Sequence, residues 1–270
     1  MRLTIDHRTI YRFSAPQGRL TQMLRLTPAD THEQAVASWQ LHVDCDARMR
    51  DGRDGFGNRV TMLYVEGPIE HVEIAVVGEV LTSASHGIVH GSQEPLPPAL
   101  FLRSTPLTEG GDALAEFAQE AAAETSDLVE RLHAFNRALH DRFALDRGRA
   151  AAGRSAAEAF DLDTATPRDF AQMFTAGARS LGVPARYVSG YSPACLEGDA
   201  APAPHGWAEA FVERLGWVAF DPCTGLCADE AYVRVAVALD SAGAAPVAGS
   251  RMGEGDEELD VDLHVGSDGQ

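Results

Sequence analysis

The sequence predicts an α+β protein in which an antiparallel, β-sandwich-like N-terminal part precedes helices packed on a second antiparallel sheet. Three observations carry that reading. Apolar and polar residues alternate in short runs up to about Leu81, apolar residues recur at helical spacing from Gly111 to Gly182, and alternation returns after Pro184. With 270 residues, 45% of them hydrophobic, the chain can bury a sizeable core without help from metals or disulfides.

The runs LTIDHRTIYRF, RLTQMLRLTP, SWQLHVDCDA, NRVTMLYVEG and HVEIAVVGEV read as at least five strands and define a first domain over residues 1–82. Between two of them, Asp54-Gly55-Phe56-Gly57-Asn58 has glycines where a tight turn needs positive φ. Residues 83–108, rich in Ser, Gly, His and Pro and containing EPLPPALFLRSTPLT, read as a linker lying over a surface, with His86 and His90 solvated.

A second domain is expected over residues 109–250. DALAEFAQEAAAE and SDLVERLHAFNRALHDRF read as helices, the latter with Leu128, Leu132, Phe135 and Leu139 on one face and Ser126 near the N-cap. RDFAQMFTAGARSLG, after Pro167, reads as a third helix ending at a C′ glycine, Gly182. PARYVSGYS, WAEAFVERLGWVAFDP and AYVRVAVAL then supply strands for an antiparallel sheet. Residues 251–270 form an acidic C-terminal piece; ELDVDLHV alternates strictly and reads as a final strand, while the flanks from Gly249 onward read as unstructured.

The chain carries a formal charge of −18, from 40 acidic residues against 22 basic ones, all of them arginine. Such a balance repels phosphate backbones and anionic lipid, so neither nucleic acid nor membrane is expected as a partner. The first residues alternate and contain no apolar h-region, which reads as a retained strand of a cytoplasmic protein. Cys45, Cys195, Cys223 and Cys227 are few and scattered, fitting reduced thiols. The CxxxC spacing of Cys223 and Cys227 has no second pair and no flanking histidines, so no metal and no cofactor are implied.

No phosphate loop, dinucleotide fingerprint, HExxH or GxSxG motif is present. What remains is His205 in PHGWAEAF and Asp221 in WVAFDP, spaced so that a hairpin would bring both to one end of a sheet. A histidine oriented by a carboxylate serves nucleophilic acyl transfer, with the nucleophile at a helix N-terminus whose dipole lowers a thiol pKa. Spacing alone leaves a catalytic and a purely structural role open for this pair.

The order of RDFAQMFTAGARSLGVPARYVSGY, PHGWAEAFVERLGWVAFDP and EAYVRVAVALDSAGAAPVAG resembles the core of bacterial transglutaminase-like proteins, members of the papain-like superfamily of thiol acyltransferases and proteases. The β-rich part, with RLTPAD, DGFGNRV and EPLPPALFLRSTPLT, is similar to the domain preceding that core, so the resemblance covers nearly the whole chain. It implies a papain-like, transglutaminase-like core of helices and antiparallel sheet, with His205 as general base and Asp221 as its orienting acid.

The family's core helix opens with G-V-C-Q-D-F-A-H, after a segment resembling TAAEAL. Laying SAAEAF (residues 155–160) on that segment without a gap puts Ala165, Thr166, Pro167, Arg168, Asp169, Phe170, Ala171 and Gln172 on the motif. Pro167 then falls on the cysteine nucleophile, Arg168 on the glutamine and Gln172 on the histidine. The usual G-R-D-Y-like end is replaced by Ala238, Leu239, Asp240 and Ser241, and a customary aromatic by Leu145. A shift of a few residues restores nothing, because no cysteine lies between Cys45 and Cys195.

The resemblance therefore implies a chain without thiol catalysis that keeps the fold as a binding or scaffolding module, for a peptide or protein ligand or for an active transglutaminase-like relative. Arg168, Asp169, Gln172 and Trp207 are the groove candidates. The alternative is a residual cysteine protease, amidase or acyltransferase in which Cys223, two residues past Asp221, replaces the nucleophile. A third reading is a metal-binding regulator built on His205, Asp221 and Cys223.

Overall fold

The computed structural model describes residues 1–93, 95–193 and 203–267. Its N-terminal part is built on two long strands, β1 (Arg2–Leu24) and β4 (Arg59–Thr82), flanked by β2 (Gln34–Val43) and β3 (Ala47–Arg53). β1 and β4 pair antiparallel from Arg2 opposite Leu81 to Leu24 opposite Thr61, with register shifts between Arg12 and Arg19. The runs that the sequence separates are thus single strands bent at these shifts. At the bend, a side chain on Gly67 would collide with the Gln17 backbone, so only glycine allows the approach.

β2 pairs with the second half of β4 and β3 with the first, and both halves feed one apolar cluster that includes Phe13, Leu20, Leu63 and Ile74. This shared core makes the bent sheet sandwich-like. β3, with sequence ARMRDGR and mostly exposed, has no alternating apolar signal; pairing to β4 alone makes it a strand. The turn over residues 54–58 forms as expected, with Gly57 at φ 86°. It also docks this part onto the second: Asn58 exchanges two 2.8 Å hydrogen bonds with the Val237 backbone, and Asp54 is paired with Arg25 at 2.9 Å.

Residues 83–108 do more than cross a surface. β5 (Ile88–Val89) adds to the edge of the second sheet by pairing with Trp217 and Val218, and the 3₁₀ turn at Pro98–Leu102 buries Phe101 against the Trp217 ring at 5.1 Å. Apolar residues in a proline-rich stretch found a place in the core, which overrides the linker composition.

The second part holds α1 (Gly111–Ala121), α2 (Leu128–Arg142), β6 (Ala144–Leu145), α3 (Ala156–Phe160), β7 (Thr164–Ala165) and α4 (Pro167–Ser180). Asp127 caps α2, its carboxylate accepting from the Glu130 N–H at 3.0 Å, which corrects the expectation for Ser126. α4 ends in a Schellman arrangement around Gly182, with Val183 N–H on the Ala178 carbonyl and Gly182 N–H on that of Arg179. The helices cover one face of a sheet made by β8 (Ala185–Tyr191), β9 (His205–Val212), β10 (Gly216–Asp221), β11 (Leu226–Cys227) and β12 (Val233–Ala238). Rings of α2, α4 and β10 stack in sequence, Phe135 on Phe174 at 5.3 Å and Phe174 on Phe220 at 5.0 Å.

On the opposite face Glu209 is buried between Arg186 (2.6 Å) and Arg234 (2.7 Å). Burial alone would raise its carboxyl, but Arg234 and Arg186 outweigh that and hold it at about 2. The chain finally returns to the first sheet: β13 (Val247–Met252) pairs with the second half of β1 and β14 (Glu257–Ser267) with the first. The alternating ELDVDLHV is a strand as expected, whereas the flank from Gly249, expected to be unstructured, is part of β13. β1 offers it an open edge, which composition does not reveal. The first sheet therefore contains both ends of the described chain.

Candidate functional site

The β9–β10 hairpin carries the histidine and the carboxylate. It turns through Glu213, Arg214 and Leu215, with Arg214 and Gly216 at positive φ, and its register sets Phe220 opposite Ala208. His205, at the start of β9, and Asp221, at the end of β10, thus meet at one end of the sheet. His205 Nε2 lies 2.7 Å from Asp221 Oδ2, and both residues are buried. The same oxygen accepts from the Tyr232 hydroxyl at 2.7 Å, and Asp221 Oδ1 accepts from the Cys223 backbone N–H at 3.0 Å. A buried carboxylate with three donors is fixed in place, and it fixes the imidazole in turn. Gly206 follows His205 because a side chain there would strike the Tyr187 hydroxyl.

Pro167 is the first residue of α4, where its missing N–H costs nothing. Thr166 is the N-cap and forms a reciprocal box with Asp169. Its N–H and hydroxyl donate to Asp169 Oδ2 at 3.1 and 2.7 Å, and its Oγ1 accepts from the Asp169 N–H at 3.3 Å. Arg154 adds an ion pair to Asp169 Oδ2 at 3.0 Å. The helix end is therefore occupied by its own side chains, and Pro167 offers no N–H for an oxyanion.

A cavity of about 460 Å³ joins these elements. Pro167, Thr166 and Arg168 line it from α4, His205 and Tyr187 from the second sheet, and His7, Thr9 and Tyr11 from β1. Its size is that of a small-molecule or peptide pocket. Of the groove candidates only Arg168 lines it. Asp169 turns inward to its cap and Arg154; Gln172 is buried between the Arg154 carbonyl (3.1 Å) and the Ser241 hydroxyl (2.6 Å). Trp207 lies behind His205, its ring 6.0 Å away and nearly parallel, and packs edge-on to Tyr232. Strand alternation explains Trp207, since two residues from His205 along β9 a side chain shares its face but sits deeper in the sheet.

Cys223 is buried in the apolar cluster under the helices and does not line the cavity. Burial raises the Cys45 thiol, helped by Asp44 and Asp46, and pushes the Cys227 thiol up to about 11, so neither is an activated thiolate. Cys195 lies outside the described residues. Among the described residues no group of three or more His, Cys, Asp or Glu side chains could hold a metal ion, and no helix is long and apolar enough to cross a membrane.

Sequence reasoning missed the wall supplied by β1. Leu3, Ile5, His7, Thr9, Tyr11 and Phe13 all face inward, so two polar residues stand on an apolar stripe. That interruption is the signal that could have found them. His7 Nδ1 lies 3.0 Å from the Tyr191 hydroxyl and Nε2 3.2 Å from Thr9 Oγ1; burial lowers its imidazole to about 4 against a smaller opposing pull from Asp6. Tyr232, the second donor to Asp221 Oδ2, was also missed.

Comparison with known proteins agrees with this architecture. Residues 3–81 match the bacterial transglutaminase-like N-terminal region and residues 115–222 the transglutaminase-like superfamily. An uncharacterized protein of Mycobacterium tuberculosis is 26% identical over 287 residues, covering 92% of this chain and 87% of its own length. One from Mycobacterium leprae is 24% identical over 284 residues and 98% of both chains. A crystal structure from Cytophaga hutchinsonii, described as a "Putative Cysteine Protease", superposes with a TM-score of 0.78 at 18% identity, over 98% of this chain and 90% of its own. This likeness is one of fold. The chain is a transglutaminase-like family protein, with the bacterial N-terminal region of that family joined to a transglutaminase-like core.

Proposed function

We propose that this protein is a catalytically silent transglutaminase-like protein whose groove holds a peptide or protein segment. One observation carries the reading: Pro167 at the start of α4 shares a cavity with His205, while no cysteine lines that cavity among the described residues. A base and its orienting acid without an attacking atom do not perform acyl transfer, and loss of a nucleophile costs many powers of ten in rate. The capped helix end, with proline in place of a donor, supports the same reading. The bound segment could belong to an active relative, since the family's groove receives acyl donors.

The intact His205–Asp221 pair favours a second reading, an amidase, protease or acyltransferase with another nucleophile. Thr166 borders the cavity, but its hydroxyl donates to Asp169. Cys223 packs away from the cavity, which counts against it. The test is amine incorporation and amide hydrolysis by the purified protein beside His205→Ala and Cys223→Ser. Wild type inert on every substrate, with no effect of thiol alkylation, supports the silent module. Turnover lost in His205→Ala refutes it, and loss in Cys223→Ser as well would identify the nucleophile.

A further inference from the structure

The cavity's charge is opposite to that of the chain around it. The protein carries −18 overall, yet the charged side chains among the described lining residues are Arg147, Arg149 and Arg168 against one carboxylate, Asp260. Asp260 is itself 3.9 Å from the Arg12 guanidinium. The three arginines come from two separate stretches: Arg147 and Arg149 from the segment after β6, Arg168 from the first turn of α4. In a chain with 40 acidic residues, their convergence on one cavity defines a local positive wall.

Arg168 supplies an independent observation. Its Nη2 donates to the Ala151 carbonyl, but its Nε–H is buried without an acceptor. A buried donor left unmet is costly, and a ligand acceptor that met it would recover that cost. A carboxylate fits best, because a guanidinium offers it two parallel donors. Thr9 and Tyr187 add neutral polar groups to the same lining, and His7 adds no competing charge at neutral pH.

We propose that this cavity binds the acidic side chain of a peptide, with Arg168 receiving the carboxylate and Arg147 and Arg149 at the rim. The inference rests on the reading of the groove as a peptide site and adds the chemistry of the peptide. It also explains how a strongly acidic protein admits an acidic partner: repulsion from carboxylates more than about 8 Å away is largely screened at physiological salt, whereas the arginines act at contact range.

Calorimetric titration of the full chain with acetyl-Ala-Glu-Glu-Ala-amide and with its Gln-Gln counterpart tests this. The glutamate peptide should bind at least about tenfold more tightly, the size of one good charge-assisted pair. Arg168→Gln should bring it down to the level of the glutamine peptide, and Arg149→Gln, exposed and outside any helix, should lower it several-fold with unchanged circular dichroism. Equal binding of the two peptides overturns the acidic preference but leaves the peptide groove standing. Binding of neither peptide overturns both. Glutarate binding as tightly as the glutamate peptide would make this a small-acid site, and a preference that survives both arginine variants would also refute the proposal.

Discussion

The two walls of the cavity differ in what they keep. The sheet wall holds His205, Asp221 and Tyr232 together through short, buried hydrogen bonds of 2.7 Å. The α4 wall has closed on itself: Thr166, Asp169 and Arg154 satisfy one another around a proline. A structural demand explains the asymmetry. Asp221 anchors three donors at the end of two strands, so losing it damages the fold, whereas a helix N-terminus needs only a cap, which Thr166 and Asp169 supply.

That comparison can be broken by mutation, beginning with the hairpin. Asp221→Ala removes the hydrogen bonds that its carboxylate makes with the His205 ring, the Tyr232 hydroxyl and the Cys223 N–H, and should cost about 3 kcal/mol or more in urea denaturation. A cost under about 1 kcal/mol would mean that the pair is retained for something other than packing.

Next comes pH, which probes the β1 wall. The His7 imidazole titrates near 6.5 when unfolded and near 4 when folded, so the unfolded chain binds the extra proton between those values. Stability is complete above pH 6.5 and falls as pH drops toward 4, by about 3 kcal/mol in all. Denaturation midpoints across that window should flatten in His7→Gln. Glu209, held at about 2, contributes stability that is present above about pH 4.5 and lost only as pH falls from there through 2.

The helix wall should give the smallest effects. Thr166→Ala removes the cap and should cost about 1 kcal/mol. Pro167→Ala should change stability by about 0.5–1 kcal/mol, mostly through greater freedom of the unfolded chain, by thermal denaturation. If Pro167→Ala cost several kcal/mol, the proline would hold the fold together instead of merely fitting it.

Much of this was legible in the sequence where a local signal carries it. The α4 boundaries follow from Pro167 and Gly182, and the meeting of His205 with Asp221 follows from a hairpin of the right length. What escaped depends on contacts distant in sequence. β3 and β13 are strands only because β4 and β1 offer edges to them. The turn at Asp54–Asn58 was legible as a turn, but its docking through Asn58 onto Val237, 179 residues away, was not. Gln172 and Asp169 read as groove residues by motif position, but helical geometry turns them inward, and the β1 wall carried no motif at all.

The reading of a silent site turns on Pro167, which begins α4 where the nucleophile is expected and shares a cavity with His205. The most direct measurement is amide hydrolysis and amine incorporation by Pro167→Cys beside wild type and beside the Pro167→Cys, His205→Ala double variant. The account predicts an inert wild type, turnover by Pro167→Cys, and its loss in the double variant. Turnover by wild type itself, or none by a folded Pro167→Cys, would contradict it.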